Sequence, residues 1–308
     1  MKIIISFLLI SIVTLIIGFT SSENEKPKIS FTFDDGSPKD YANYTLNNWN
    51  QLILDNLQKH GVKAVFFITG SRLTGEKGKY ILESWDNAGH KIGNHTYSHP
   101  NFNNAEITAQ TLKQEISIND SIIGEYKNYY PYFRYPYLKE GNTVAKRDSI
   151  RKYLSEIGYK NGYVSIDASD WYINSRLLRK HKNDSNLNLN IYRDFYIQHI
   201  YERACFYDSL AHKLTNRRIN HTLLLHHNLT SALFLDDLIQ YFKDNGWEIV
   251  EADKAFKDKI YNKMPNIIPA GESIIWALAK ESGDFDSILR YPAEDSRYEK
   301  DKMDNLGL

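Results

Sequence analysis

Short apolar runs alternate with stretches of helical period along most of this 308-residue chain, and that alternation limits the fold more than any other feature. Ile29–Phe33, Val62–Thr69, Tyr132–Tyr135, Tyr163–Ile166, Thr222–Leu225 and Trp247–Val250 read as strands, and Lys91-Ile92-Gly93 as a shorter one. Between them, Leu52–Lys59, Tyr80–Asn87, Ile107–Tyr126, Ser149–Ile157, Ile191–Leu214 and Leu233–Lys243 read as helices. The Asn-rich stretch Lys180–Asn190 reads as a loop. Repeated βα units favour parallel strands with helices packed outside them.

Chemistry collects where the strands stop. Asp34-Asp35, His95, Arg134, Asp167 with Asp170, and His226 all fall at or just past strand C-terminal ends. In a (β/α) barrel those ends share one rim, where active sites are built. Five separate patches can therefore meet in one pocket.

Charge and cysteine usage narrow the classes. Lys plus Arg and Asp plus Glu number 38 each, so no global field favours nucleic acid. Cys205 is the single cysteine, which rules out an intramolecular disulfide and a thiolate zinc cluster. It reads as a small buried apolar residue. At the N-terminus, Lys2 precedes an apolar run from Ile3 to Phe19, then Thr20-Ser21-Ser22-Glu23. Residues 1–22 are expected to be a secretory signal cut near Ser21 or Ser22, with an uncleaved membrane anchor as the competing reading. Either way the folded part is expected to work outside the cytoplasm, secreted or in the cell envelope. Residues 27–258 form the expected catalytic domain. Residues 259–308, with a helix over Gly271–Glu281, read as an extension packed on it.

Each patch has a chemical and a bland reading. Asp34-Asp35-Gly36 ends an apolar strand: one carboxylate can ligate a metal while the other faces substrate, or both are solvated in a turn. His95 and His99 stand four apart, and on a helical turn their imidazoles would face the same way. Two imidazoles and one carboxylate leave open positions on an ion, the arrangement of catalytic sites; otherwise they are surface histidines beside Pro100. Zinc leads for such N/O ligands, with cobalt, nickel or iron also suited. Arg134 cannot lose its proton and could grip Asp34. Pro136 stiffens the turn after it, so that the Tyr137 backbone N–H could face a developing oxyanion. Asp170 could hold an imidazole and raise its pKa, and Trp171 could wall a sugar site. His226 ends a buried strand, where a hydrogen-bonded core histidine is the alternative.

Taken in order, the patches resemble the motifs of the polysaccharide deacetylase family (carbohydrate esterase family 4): TFDDG at Thr32–Gly36, H-[ST]-x-x-H at His95–His99, R-x-P-[YF] at Arg134–Tyr137, D-x-x-D-W at Asp167–Trp171 and L-x-H at Leu224–His226. Coverage runs from about Ile29 to about Val250. Relatives often have Asp after the last motif histidine, where this chain has His227. The resemblance implies a distorted (β/α) barrel of seven or eight strands that hydrolyses acetyl groups on a glycan. It implies Asp35, His95 and His99 as ligands of a divalent metal, foremost zinc, and Asp34 as general base oriented by Arg134. It further implies His226 as general acid tuned by Asp170, with Trp171 and Leu224 walling the acetyl pocket. The expected substrate is N-acetylglucosamine in peptidoglycan or a chitin-like polymer. O-acetyl esterase activity on xylan or an exopolysaccharide is the nearest alternative, and a non-catalytic glycan-binding protein a more distant one. No nucleic acid is expected as partner, and a membrane only if the N-terminal segment is retained.

Overall fold

A computed structural model describes residues 25–41, 43–184, 187–291 and 293–308. The targeting segment expected at 1–22 lies outside the described residues. No helix among the described residues is long and apolar enough to cross a membrane.

In chain order the elements are β1 (Lys28–Asp35), α1 (Leu46–Lys59), β2 (Val65–Ile68), α2 (Gly75–Asn87), β3 (Lys91–Asn94), α3 (Ala109–Ile123), β4 (Tyr129–Phe133), β5 (Lys139–Gly141), α4 (Val144–Glu156) and β6 (Lys160–Asn161). There follow α5 (Asp170–Asn183), α6 (Leu189–Thr215), β7 (Asn220–His226), α7 (Leu229–Asp244), β8 (Glu248–Ile249), α8 (Ala252–Ala255), β9 (Ala270–Gly271), α9 (Ile274–Ser282) and α10 (Arg297–Asn305). The main sheet is parallel, in the order β6-β4-β3-β2-β1-β7, with β8 against the start of β1. Its two ends meet at one bridge, Ile166 to Leu223, where the Leu224 N–H donates to the Ile166 carbonyl at 3.0 Å. The curled sheet is thereby an irregular barrel, as expected, with helices outside.

The period-2 pattern of β1 explains how the site is placed. Ile29, Phe31 and Phe33 face the helices: Phe31 meets Phe242 of α7 at 6.2 Å between ring centroids, and Phe33 meets Trp85 of α2 at 5.2 Å. Ser30, Thr32 and Asp34 alternate with them and are buried on the other side. The Ser30 and Thr32 hydroxyls donate to the carbonyls of His221 and Leu223 at 2.9 and 2.8 Å, so this buried polar row is satisfied. Gly93 and Gly162 leave the space that the Phe67 ring fills. A Cβ at Gly93 would lie 2.7 Å from that ring.

Four local expectations are corrected. Tyr163–Ile166 contributes a single bridge rather than a strand. The Ser165 N–H turns to Thr222, while the carbonyls of Val164 and Ser165 are taken from the far side by the Ile274 N–H (2.8 Å) and the Ser273 hydroxyl (2.9 Å). Lys180–Asn190 is not all loop. Helix α5 runs on to Asn183 because Ile173, Leu177 and His181 share a buried face. His95 and His99 do not sit on a helical turn: they follow β3 in a bend with left-handed backbone at Thr96 and His99. Cys205 is exposed on α6 rather than buried. Beyond residue 258, Ile274, Ile275 and Met303 belong to the same buried core as the sheet and its helices.

Candidate active site

The five strand-end patches open into one pocket of about 530 Å³. Asp34, Asp35, His95, His99, Tyr137, Trp171, Leu224 and His226 all line it. Arg134 lies directly beneath Asp34, and Asp170 behind His226.

Asp34 and Asp35 leave the same strand yet line the same pocket. A positive φ at Asp35 (81°) turns the backbone, so the strict alternation of a strand no longer separates them. Arg134 Nη1 donates to Asp34 Oδ1 at 2.6 Å and to the Thr32 hydroxyl at 2.9 Å, and its Nε donates to the Gly162 carbonyl at 2.8 Å. The guanidinium also stacks on Phe67, 4.0 Å from the ring centroid. Burial lifts the Asp34 carboxyl to about 6, against the lowering by Arg134. Its second oxygen points toward His95 Nε2 at 3.6 Å.

Asp35, His95 and His99 form a three-ligand cluster, each offering an atom within 4.8 Å of the others. His99 Nε2 stands 3.3 Å and His95 Nε2 3.8 Å from Asp35 Oδ1. His95 Nδ1 meets the Arg134 carbonyl at 2.8 Å; the ring N–H therefore sits there, and Nε2 keeps its lone pair. His99 Nδ1 is buried without a partner. Burial pushes both imidazoles down, His95 to about 4 and His99 to about 3, so both are neutral near pH 7. Burial would raise the Asp35 carboxyl, but His226, His99, His95 and Arg72 together hold it far below the usual range. Two neutral imidazoles and an ionised carboxylate fit a divalent cation of borderline softness, with positions left open.

Across the pocket, Asp170 opens α5 and binds His226 through both oxygens, at 2.6 Å to Nδ1 and 2.8 Å to the backbone N–H. Burial would lower this imidazole, but Asp170, aided by Asp35 and Asp34, raises it to about 10. Tyr137 has a left-handed backbone (φ 56°) and sets its ring edge-on against His99 at 4.5 Å. Trp171 remains 44% exposed, whereas Leu224 is almost buried. His227 turns away from the pocket. Its Nδ1 accepts the Ser37 N–H at 3.1 Å and its Nε2 meets Asn50 at 2.9 Å.

Several pocket residues had no role assigned from sequence. Arg72, on a 3-10 turn after β2, binds Asp35 Oδ2 at 2.6 Å and so orients the carboxylate of the cluster. The strand-end rule that located the other patches also covers this turn. Asp167 lines the pocket beside His226. Lys139, and Glu272, Glu294 and Asp295 from the C-terminal extension, complete the wall. Nothing in the extension's local sequence connects it to the motifs.

The family model described as polysaccharide deacetylase matches residues 21–162. That stretch carries the Asp34-Asp35, His95/His99 and Arg134 motifs, and over it the chain is similar to the polysaccharide deacetylase family. A Bacillus cereus peptidoglycan-N-acetylglucosamine deacetylase is 33% identical over 152 residues, 49% of this chain and 49% of its own length. A Bacillus subtilis peptidoglycan-N-acetylmuramic acid deacetylase is 27% identical over 171 residues, 54% of this chain and 57% of its own. The chain thus spans about half the length of these curated relatives. Among solved structures, the Bc1960 peptidoglycan N-acetylglucosamine deacetylase superimposes with a TM-score of 0.52 at 25% identity, covering 75% of this chain and 89% of that one.

Proposed function

We propose that this protein is a metal-dependent hydrolase that removes acetyl groups from a glycan, with N-acetylglucosamine units as the substrate. The observation that carries the reading is the pairing of two devices in one pocket. Asp34 stands beside the Asp35/His95/His99 cluster without belonging to it, and the His226–Asp170 pair lines the same cavity. Names of the relatives and the family match support an acetylated glycan as substrate class.

Asp35, His95 and His99 would hold a divalent ion, which would supply Lewis-acid polarisation of the acetyl carbonyl. Asp34 takes a proton from the attacking water. Its basicity comes from burial, and Arg134 keeps it ionised and oriented. The Tyr137 backbone N–H donates to the oxyanion of the tetrahedral intermediate. His226 is protonated at neutral pH and delivers that proton to the departing nitrogen, which leaves as an amine only when protonated. Asp170 holds the ring for that transfer. Trp171 and Leu224 enclose the acetyl methyl between apolar surfaces. The apolar N-terminal run supports work outside the cytoplasm, on a cell-envelope polymer.

The test is acetate release from chitotetraose, peptidoglycan glycan strands and acetylxylan, before and after chelation and again after zinc is restored. Zinc-dependent release from the amino-sugar substrates is expected. Release from acetylxylan alone would convert the reading to an O-acetyl esterase. Binding of a glycan with no release from any would convert it to a glycan-binding protein.

A further inference from the structure

The loop that presents Asp170 is held by a histidine from outside the five motifs. Ser169 immediately precedes Asp170 and has a left-handed backbone (φ 50°, ψ 33°), and its hydroxyl is buried without a partner. A residue with a side chain keeps that conformation only where its surroundings impose it. Both polar groups of the Ala168–Ser169 peptide are taken up. The Ser169 N–H donates to the Asp167 carboxyl, and the Ala168 carbonyl meets His199 Nε2 at 2.6 Å. A carbonyl only accepts, so His199 carries its proton on Nε2 and donates it. Burial lowers this imidazole to about 4, so it is neutral near pH 7. His199 is itself fixed from two directions. It projects from α6, buried, with its ring parallel to that of Phe195 at 6.0 Å between centroids. Its Nδ1 lies 3.7 Å from Glu299 Oε1, on α10. Glu299 is buried and bound by Arg290 at 2.9 Å, and Arg290 also binds Glu294 at 2.8 Å. Arg203 of α6 binds Glu294 as well. Helix α6 and the C-terminal segment thus build one buried frame behind the loop, and neither carries any of the five motifs.

We propose that His199 is a positioning residue for the general acid: by holding the Ala168 carbonyl it sets the peptide from which Asp170 opens α5, and so the orientation in which Asp170 meets His226. The inference rests on the glycan-deacetylase reading above, in which His226 protonates the departing nitrogen. Asp170 keeps two bonds to His226, at 2.6 Å to Nδ1 and 2.8 Å to the backbone N–H. One carboxylate satisfies both only over a narrow range of orientations. Ala168 is fully buried, so a carbonyl that loses its donor there must turn to find another. A turn of that peptide moves Asp170. His199 does not line the pocket; its effect on the chemistry passes through Asp170.

The experiment uses the zinc-loaded full chain and chitotetraose, with kcat referred to folded, zinc-containing protein and zinc affinity read by calorimetry. His199→Met and His199→Phe remove the donor but keep an apolar side chain of similar bulk. Both are expected to lose about tenfold in kcat, with KM and zinc affinity unchanged. His199→Gln, which keeps an N–H donor, is expected to recover most of that loss. In an Asp170→Asn background His199→Met is expected to cost little more, because two residues that act through one interaction are not additive. Wild-type kcat in a folded non-donor variant, a His199→Gln variant no faster than His199→Met, or the full further loss in the Asp170→Asn background overturns the inference while leaving the deacetylase reading standing. Failure of both non-donor variants to fold assigns His199 to the fold alone and overturns it too. No acetate from the wild type overturns that reading and this inference with it.

Discussion

Asp170 grips His226 at two points, 2.6 Å from its Nδ1 and 2.8 Å from its backbone nitrogen, so one carboxylate fixes both the ring's position and its charge. Burial alone would leave this imidazole neutral near pH 7; Asp170 is the main reason it sits at about 10. Asp170→Asn should cost about 10²-fold in kcat on an N-acetyl substrate, the usual scale for general acid catalysis. It should cost less on an O-acetyl ester, whose leaving group needs the proton less. The sign follows from the direction of the shift: activity is present below the His226 pKa and is lost as pH rises through it, so the alkaline limb should move to lower pH. A pH–rate profile on both substrates checks this, and equal losses with an unmoved limb would remove His226 from the acid role.

Arg134 should matter in two separable ways. It lowers the Asp34 carboxyl that burial has raised to about 6. Arg134→Lys loses the bonds to the Gly162 carbonyl and Thr32, so the acid limb of the profile should shift upward and kcat should fall. Arg134→Leu strands a buried carboxylate, which costs about 3–5 kcal/mol of stability. Urea denaturation beside the rate profile distinguishes the two effects.

Two buried histidines that do not line the active-site pocket should contribute to the acid stability. His90 and His227 each accept a backbone N–H on Nδ1, from Ala64 and Ser37, both at 3.1 Å. Burial lowers each to about 3 from 6.5. Their contribution is fully present above pH 6.5 and is lost as pH falls toward 3, because the unfolded chain binds protons that the folded chain refuses. Urea midpoints measured from pH 7 to 4 should fall, and His227→Gln should flatten the slope by up to about 1.4 kcal/mol per pH unit.

The C-terminal extension should be inseparable from the barrel. Ile274 is fully buried, its N–H reaches the Val164 carbonyl at 2.8 Å, and Ser273 reaches Ser165, at the point where the sheet closes irregularly. Ile274→Ala should cost about 2–5 kcal/mol. A chain ending at Asp258 should fail to give a soluble, cooperatively unfolding protein. A truncated chain with wild-type melting would show the extension to be an independent unit.

What the sequence made legible was the chemistry at strand ends. Asp34, Asp35, Arg134, Asp170 and His226 follow apolar runs short enough to be read as strands, and the topology of parallel strands does the rest. His95 and His99 do come together with Asp35, but not on the helical turn that their spacing suggests. His95 and His99 converge because Thr96 and His99 adopt left-handed backbone, which an H-T-Y-S-H string does not announce. Arg72 was hidden because an arginine in a surface turn is ordinary until its partner Asp35 is placed in space. Lys180–Asn190 misled through its asparagines: the buried face of Ile173, Leu177 and His181 outweighs weak local helix propensity. Glu272 is held by Lys139, 133 positions away in sequence, and Glu294 by Arg203, 91 positions away, separations that no local pattern encodes.

The central claim is that Asp35, His95 and His99 hold a divalent ion while Asp34 stays free beside it. Anomalous scattering at the zinc edge, from crystals grown with zinc, measures this directly. The account predicts one strong peak about 2.0–2.2 Å from an Asp35 oxygen and one nitrogen of each imidazole, with Asp34 still bound to Arg134. No peak between those three side chains, or a peak ligated by Asp34 in place of Asp35, would contradict it.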